Sequence, residues 1–419
     1  MARILGSTRN DPLSGAAEAD QIFGLEGDDF ISGRDGNDTL FGGDGNDTLI
    51  GGRGSPSQTA TAANPDGDDV LVGGAGNNAY WGGNNDVGAL FSGNDTFYMG
   101  PGNNTGAGGD GIDTAIYDQP YRAYVITQTT GGFPTPTSRQ SENLFLVQKP
   151  GGTQDRLIEL ENLQFLDGRV VRDLNDPIAR VVRLYKAALD RAPDPEGLNF
   201  WASNIAAGVP IRTLAGQIAG SAEFQTRYNA GDNTGFVQQL YRNALGREAD
   251  APGINFWLNA LATGSSRGDV LVQFSESAEN KANTAPLIQA GIYDQDEGMA
   301  AVARLYDTAF NRLPDLAGLL SWKDALSNGG TVAQVAQAFS AAPEFLALYG
   351  GPGAAPGVLV DALYRNTLDR APDQAGRDFW VNQIASGTST RAQVVLGFSE
   401  SAEHRASTLG NIEGGLRYT

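Results

Sequence analysis

Two consecutive nonapeptides constrain this chain more than any other stretch: Gly33-Arg34-Asp35-Gly36-Asn37-Asp38-Thr39-Leu40-Phe41 and Gly42-Gly43-Asp44-Gly45-Asn46-Asp47-Thr48-Leu49-Ile50. Both follow the pattern G-G-x-G-x-D-x-U-x, with U a large apolar residue, the repeat of a parallel β-helix or β-roll. Residues one to six form a tight turn, where glycine tolerates positive φ and close backbone packing. Residues seven to nine form a short strand whose middle residue points inward, because side chains alternate across a strand. The Asp at position six returns once per turn. Stacked turns therefore set carboxylates beside turn carbonyls, a cage of hard oxygens suited to Ca²⁺.

The register extends both ways. Upstream, Gly24–Ser32 puts Asp29 at position six, and Gly15–Phe23 puts Asp20 there in a degenerate turn. Downstream, a Ser/Thr/Pro/Ala insertion, Ser55–Asn64, interrupts the pattern, which resumes at Asp66-Gly67-Asp68-Asp69-Val70-Leu71-Val72 with Asp69 in the ligand position. It weakens through Gly73–Asp86, where Asn78 takes the Asp position, and returns with Asp95 in Gly93–Tyr98 and Asp113 in Gly108–Ile116. An isolated Gly-Asn-Asp is an ordinary turn, since Asp and Asn favour turns on their own. Three uninterrupted nonapeptides over Gly24–Ile50 are not. The candidate metal ligands are accordingly Asp20, Asp29, Asp38, Asp47, Asp69, Asp95 and Asp113.

This pattern resembles the RTX (repeats-in-toxin) family over roughly residues 15–118. The resemblance implies a β-roll that binds calcium, export by a type I secretion system, and folding only once the chain meets extracellular calcium. Asp118–Thr127 and Asp155–Val170 are similar to the strand-rich flank that closes such rolls. Charge is consistent with that reading. Residues 1–176 hold 10 Lys+Arg against 25 Asp+Glu, so −15 of the chain's net −20 sits in the repeat half. Such a roll repels itself until divalent cations neutralise it, and the same charge argues against a nucleic-acid partner. There is no cysteine, which excludes disulfides and thiolate zinc sites. Met1–Pro12 has no apolar run for a cleavable signal peptide and no stretch reads as a membrane span, so export is expected by a route that leaves no such peptide.

From about Asp176 glycine thins and apolar residues recur at helical spacing. Val181, Leu184, Tyr185, Ala188 and Leu189 share one face of a first helix. Asp194 with Pro195 starts a second, carrying Leu198, Trp201 and Ile205 and ending near Gly208. A third runs from about Ile211 to Phe224. The unit occurs four times: Tyr185, Tyr241, Tyr306 and Tyr364 are each followed 16 residues later by Trp201, Trp257, Trp322 and Trp380. Between them, Arg191, Arg247, Arg312 and Arg370 stand six residues after the Tyr, and Asp194, Asp250, Asp315 and Asp373 nine after it. Gly197, Gly253, Gly318 and Gly376 follow at twelve. The third helix carries a Ser-x-x-Glu signature at its end, as in Ser221–Phe224 and Ser399–Glu403. These copies resemble a domain-of-unknown-function family that accompanies RTX repeats, over roughly 178–406. More loosely they are similar to phycobilisome linker modules and to the anchoring region of RTX-type surface-layer proteins, which grips polysaccharide. The Trp residues are expected to pack against the first helix, with sugar stacking as the alternative; the Arg and Asp are expected to cap helices and pair locally.

Catalytic constellations are sparse. Gly264-Ser265-Ser266-Arg267-Gly268 fits G-x-S-x-G, but that motif needs a strand-turn-helix setting and a histidine base. Here it occupies the inter-helix link of the second unit. The single histidine, His404, reads as a surface residue and excludes an H-E-x-x-H zinc site.

The expected protein is multidomain β + α: an N-terminal parallel β-roll (1–118), a β-rich flanking cap (119–176), and C-terminal all-α repeats of three helices each at 177–230, 231–290, 291–350 and 351–419, the last with a tail. Function is expected to be non-enzymatic and calcium-dependent, outside the cell or at its surface. The helical repeats would contact a surface, a polysaccharide or another copy, as an adhesin or binding module. A calcium-driven surface-layer or matrix assembly is the second reading, and a polysaccharide-modifying enzyme the third.

Overall fold

A computed structural model describes residues 1–52, 69–76, 78–82, 93–109, 111–130, 143–228, 232–351 and 353–419; the Ser55–Asn64 insertion and Asp66, Asp68, Asp86 and Asp110 lie outside them. The nonapeptides coil as their period requires, alternating between two parallel sheets. One stacks β1 (Arg3–Leu5), β3 (Gln21–Glu26), β5 (Thr39–Asp44), β7 (Val70–Ala75), β9 (Thr96–Tyr98) and β11 (Thr114–Ile116). The other stacks β2 (Pro12–Ser14), β4 (Phe30–Ser32), β6 (Thr48–Ile50), β8 (Ala79–Trp81) and β10 (Thr105–Ala107). Position eight of each repeat faces inward, so Ile22, Leu40, Leu71 and Phe97 stack along one wall and Ile31, Leu49 and Tyr80 along the other. All seven are buried, and burying each stabilises the roll by roughly 1.5–3 kcal/mol.

Position two of the turn needs φ near +100°: Gly43 has +116° and Gly74 +84°, but Leu25 (+90°) and Arg34 (+83°) hold the same conformation with a Cβ. Those two depart from the G-G consensus and are strained there.

The cap closes both sheets. β12 (Val125–Thr130), β13 (Asn143–Gln148) and β14 (Gln154–Ile158) finish the second sheet, and β15 (Asn162–Phe165) and β16 (Gly168–Val171) continue the first. Strands β14 and β15 still run parallel to β10 and β11; the pairs beyond them are antiparallel. One strand comes from the helical half. β17 (Ile292–Gln295), which separates the second helical unit from the third, pairs antiparallel with β16, Val171 opposite Ile292 and Gly168 opposite Gln295.

Each helical unit contains four helices rather than three. The first holds α1 (Pro177–Leu189), α2 (Pro195–Ala206), α3 (Ile211–Gly220) and α4 (Ala222–Arg227), and the second α5 (Asn233–Leu245), α6 (Ala251–Ala262), α7 (Arg267–Ser275) and α8 (Ala278–Gln289). The third holds α9 (Glu297–Phe310), α10 (Leu316–Ser327), α11 (Val332–Ala341) and α12 (Pro343–Tyr349), and the fourth α13 (Pro356–Thr367), α14 (Gln374–Ala385), α15 (Arg391–Ser399) and α16 (Ala402–Ile412). The extra helix arises at the Ser-x-x-Glu-like signature, where a Ser-Ala-Glu in three of the four units begins a helix instead of ending one. Ser221 is extended (φ −69°, ψ 152°) and its hydroxyl accepts from Phe224 N, so it caps α4; Ser277 and Ser401 do the same for α8 and α16.

Units one and two share one apolar core, and three and four another. The expected inner face of α1 is buried throughout. Asp194, Asp250, Asp315 and Asp373 each cap the second helix of their unit by accepting from the backbone of Gly197, Gly253, Gly318 or Gly376. The Arg before each cap reaches elsewhere. Arg191, Arg247, Arg312 and Arg370 form two-pronged ion pairs with Glu223, Glu279, Glu344 and Glu403, the Glu of the signature (2.8, 2.8, 2.9 and 2.7 Å), and lie over the Tyr rings. This clamp fastens the end of the first helix to the start of the fourth.

Candidate metal centre

The alternation of strands places the position-six residues on two edges of the roll. Asp20, Asp38, Asp69, Asp95 and Asp113 follow one another along the first edge; Asp29 and Asp47 lie on the second. In each rung the backbone N–H donates to Oδ1 of the next: Asp20 N to Asp38 (2.7 Å), Asp38 N to Asp69 (2.7 Å), Asp69 N to Asp95 (2.9 Å) and Asp95 N to Asp113 (2.8 Å). Glu161 closes that edge by accepting from Asp113 N (2.9 Å). The second edge runs Asp11, Asp29, Asp47, Asn78, Asn104 and Asp155 by the same bonds.

One carboxylate oxygen is thus spent on holding the coils in step. The other is held against the turn. Oδ2 of Asp29, Asp47 and Asp113 is buried and accepts no hydrogen bond. At Gly33, Gly42 and Gly51 the space a Cβ would fill is taken by Oδ2 of Asp38, Asp47 and Asp69, and also lies 2.7, 2.7 and 2.8 Å from the carbonyl oxygens of Gly51, Gly73 and Gly82. The first glycine of the repeat is there because a carboxylate oxygen and the next coil's carbonyl converge on it.

The electrostatics follow. Rungs stack at the sheet spacing of about 4.8 Å, where two carboxylates repel by roughly 3 kcal/mol at an effective dielectric near 20. Burial, reinforced by neighbouring carboxylates, pushes Asp47 up to about 6 from an ordinary 3.8 and Asp113 up to about 9, and lifts Asp29 in the same direction. At Asp20 burial also pushes upward, but N–H donors from Ala2 and Ala16 outweigh it and hold the carboxyl below its ordinary value.

Buried oxygens such as Asp47 Oδ2, which converges with a turn carbonyl, accepts no hydrogen bond and belongs to a carboxyl of raised proton affinity, are the donors a hard divalent cation takes. Among the described residues no three Asp, Glu or His side chains gather into one cluster. An ion here therefore draws much of its coordination from turn carbonyls, which suits the six-to-eight oxygen shell of Ca²⁺ better than the strict octahedron of Mg²⁺.

Several rungs escaped the sequence. Asp11 belongs to Gly6–Ser14, in step by nine with Gly15. Asn104 stands where Asp is usual, in a repeat whose inward residue is Gly106; a Cβ there would meet Leu157 at 3.0 Å and Phe97 at 3.3 Å. Asp155 stands at position six of a degenerate repeat, Pro150–Ile158, in which Gly151 holds φ +89° at position two; Glu161 lies outside any glycine-rich context. Two other readings resolve plainly. Ser266 of the G-x-S-x-G match caps α7, accepting from Asp269 N and donating to its carboxylate. His404 is buried rather than superficial, with Nδ1 2.9 Å from Ser399 O and Nε2 2.8 Å from Asp307 Oδ2. It takes the position that Asn280 fills in the second unit, where Asn280 likewise bonds the Ser275 carbonyl.

A roll of parallel coils with position-six carboxylates on its edges defines the class: a calcium-binding, RTX-type protein. Residues 5–40, 23–56 and 66–86 match the RTX calcium-binding nonapeptide repeat. Residues 179–214, 215–284, 299–349 and 354–408 match the Domain of unknown function (DUF4214), four matches along the helical half, the second beginning within α3. The chain belongs to the DUF4214 family, whose four copies here follow an RTX roll. No curated protein matches it. No helix among the described residues is long and apolar enough to cross a membrane.

Proposed function

We propose that this is a secreted, non-enzymatic binding protein whose roll locks on extracellular calcium and whose helical units engage a cell-surface polysaccharide. Asp29, Asp38, Asp47, Asp69, Asp95 and Asp113 hold the ions through Oδ2 together with turn carbonyls. Asp20, whose oxygens already accept two backbone hydrogens, is the weakest of the set. Calcium binds the folded coils and not the open chain, so it stabilises by linkage. At cytosolic calcium the coils that hold ions stay open and exportable; at millimolar calcium they close.

The observation that carries the binding role is a repeated exposed aromatic. Each Trp packs on its core, as expected, but Phe200, Phe256 and Phe379, immediately before Trp201, Trp257 and Trp380, are 59, 63 and 54 % exposed. Each stands edge-on to its Trp at 4.9–5.0 Å. The third unit has Ser321 in that place. Three equivalent apolar ring faces on one chain suit a repetitive sugar polymer, where weak contacts multiply.

The test is retention of the full chain on immobilised bacterial polysaccharides in millimolar calcium. Calcium-dependent retention, lost at least tenfold in the triple variant F200A/F256A/F379A, is the expected result. Equal retention of both proteins would refute the reading. Growth of large regular particles in light scattering on adding calcium would instead assign the chain to a surface-layer or matrix lattice.

A further inference from the structure

The two edges of the roll are not alike. On the first, carboxylates run without interruption from Asp20 to Glu161. On the second they stop after Asp47, and nitrogen donors take over. Asn78 and Asn104 keep the Oδ1 acceptor of the ladder but carry an amide in place of Oδ2. Asn78 Nδ2 donates to the Gly74 carbonyl at 3.4 Å, and Asn104 Nδ2 to the Gly100 carbonyl at 3.0 Å. Each amide thereby satisfies a turn carbonyl of its own repeat.

At the next rung a carboxylate returns, and with it a cation. Asp155 is buried, and its Oδ1 accepts both Asn104 N (2.8 Å) and the Lys149 ammonium (2.7 Å); its Oδ2 accepts no hydrogen bond, as at Asp29 and Asp47, but here the carboxylate already carries a fixed positive partner. The same ammonium donates to the Gly100 carbonyl at 2.8 Å, the oxygen that Asn104 also uses. Lys149 is itself 93 % buried, its side chain only 7 % exposed. Between a position-six carboxylate and a carbonyl of the neighbouring coil stands a positive charge that the chain supplies.

We propose that the Lys149 ammonium replaces a calcium ion at the last rung of the second edge, so that this rung closes without calcium while the rungs of Asp29 and Asp47 depend on it. The inference rests on the calcium reading of the other rungs. It gives the second edge one metal-independent rung in the cap and metal-dependent rungs at Asp29 and Asp47. A fixed ammonium cannot leave when calcium falls, and its charge offsets Asp155 in a buried setting where an unpaired carboxylate is strongly unfavourable.

The test is amide hydrogen exchange on the full chain in EGTA and in millimolar calcium, for wild type, K149M, K149R and K149M/D155N. In wild-type EGTA samples β10 and β14 are expected to stay protected while β3–β6 exchange freely, and calcium should protect β3–β6. K149M should lower protection of β10 and β14 in EGTA roughly hundredfold or more, the loss expected when a buried pair loses one member. K149R should retain it, because the cation remains. K149M/D155N should recover it, because an amide then stands at the rung as at Asn78 and Asn104. Loss of β10 and β14 protection in wild-type EGTA equal to that of β3–β6 overturns the proposal, as does a K149M variant indistinguishable from wild type. If calcium fails to protect β3–β6 in any variant, the calcium reading itself is wrong, a separate outcome.

Discussion

Replacing Asp47 by Asn should stabilise the roll without calcium and cut the stabilisation that calcium adds. Oδ1 of Asp47 accepts the Asp29 N–H at 2.9 Å, an acceptor that Asn retains. Oδ2 is buried with no partner; in the variant it becomes an NH₂ that can reach a turn carbonyl of its own repeat, as at Asn78 and Asn104. Removing a buried, unsatisfied charged oxygen should gain about 1–3 kcal/mol in EGTA at pH 7. In calcium the gain is offset. An extracellular module with Kd near 10⁻⁴ M gains about 1.8 kcal/mol per ion at about 2 mM, and the variant forfeits that term. The pH dependence fixes the sign independently. Burial holds folded Asp47 at about 6, above its ordinary 3.8. The ion-free fold is therefore favoured below about 4 and loses stability as pH rises from there through about 6. The advantage of D47N in EGTA should shrink on acidification and vanish near pH 4. The assay is urea unfolding followed by β-sheet circular dichroism and by exchange of β4 and β6, at pH 7 and pH 4, with and without calcium. D47A is the control: it deletes the Asp29 acceptor and should destabilise under every condition. A D47N protein less stable than wild type in EGTA at pH 7 would refute the reasoning, because Oδ2 would then have a partner other than a metal.

Gly33→Ala should abolish the calcium response of β3–β6, since its Cβ would press on the Asp38 carboxylate and lie 2.7 Å from the Gly51 carbonyl; calcium-dependent circular dichroism reads it. Arg34→Gly should do the opposite, raising the roll's stability in calcium by about 1 kcal/mol, because Arg34 holds φ +83° with a Cβ. Arg312→Met, which opens an exposed clamp with Glu344, should lower the stability of the helical core by only about 0.2–1 kcal/mol in urea unfolding. Asp167→Ala should be far worse, costing about 2–6 kcal/mol: it strips the buried acceptor from Tyr121 N (2.7 Å) and Leu416 N (2.5 Å), two donors at about 1–3 kcal/mol each.

Much of this architecture is written in local periods. The nine-residue period fixes the coil, its inward residues and its position-six carboxylates, because a β-roll repeats one local geometry and each repeat states it anew. The helical half is legible for the same reason, down to the Asp caps and the buried face from Val181 to Leu189. What failed to show was whatever depends on an exception. Ser221, Ser277 and Ser401 fall in a signature that reads as the end of the third helix; only the extended backbone at the serine reveals a new start. Asn104 hides because Gly106 sits where an apolar residue belongs, a vacancy filled by Phe97 and Leu157 from elsewhere in the roll. Asp155 sits in a degenerate repeat with a single well-placed glycine, Gly151, and Lys149 carries no motif at all, since a lysine standing in for a metal ion is a relation between a cap strand and a coil about 50 residues earlier.

The same logic explains why the division between β half and α half is weaker in space than in sequence. Composition changes sharply near Asp176, yet the first sheet does not end at β16. Its last strand, Ile292–Gln295, lies more than a hundred residues on, and Tyr293 stacks on Tyr121 at 4.4 Å. Asp167 accepts from Tyr121 and Leu416 through its carboxylate, and its carbonyl accepts Asp296 N (2.8 Å) and the Tyr293 hydroxyl (3.1 Å). A cut after residue 175 would leave β16 an open edge, which is a template for aggregation, and would leave a buried carboxylate half satisfied. The cap is complete only when the helical units are present. The Lys149 rung lies in that same cap, so the second edge closes on its own charges at the end that the helical half supports, and calcium is left to the carboxylate rungs that have no lysine.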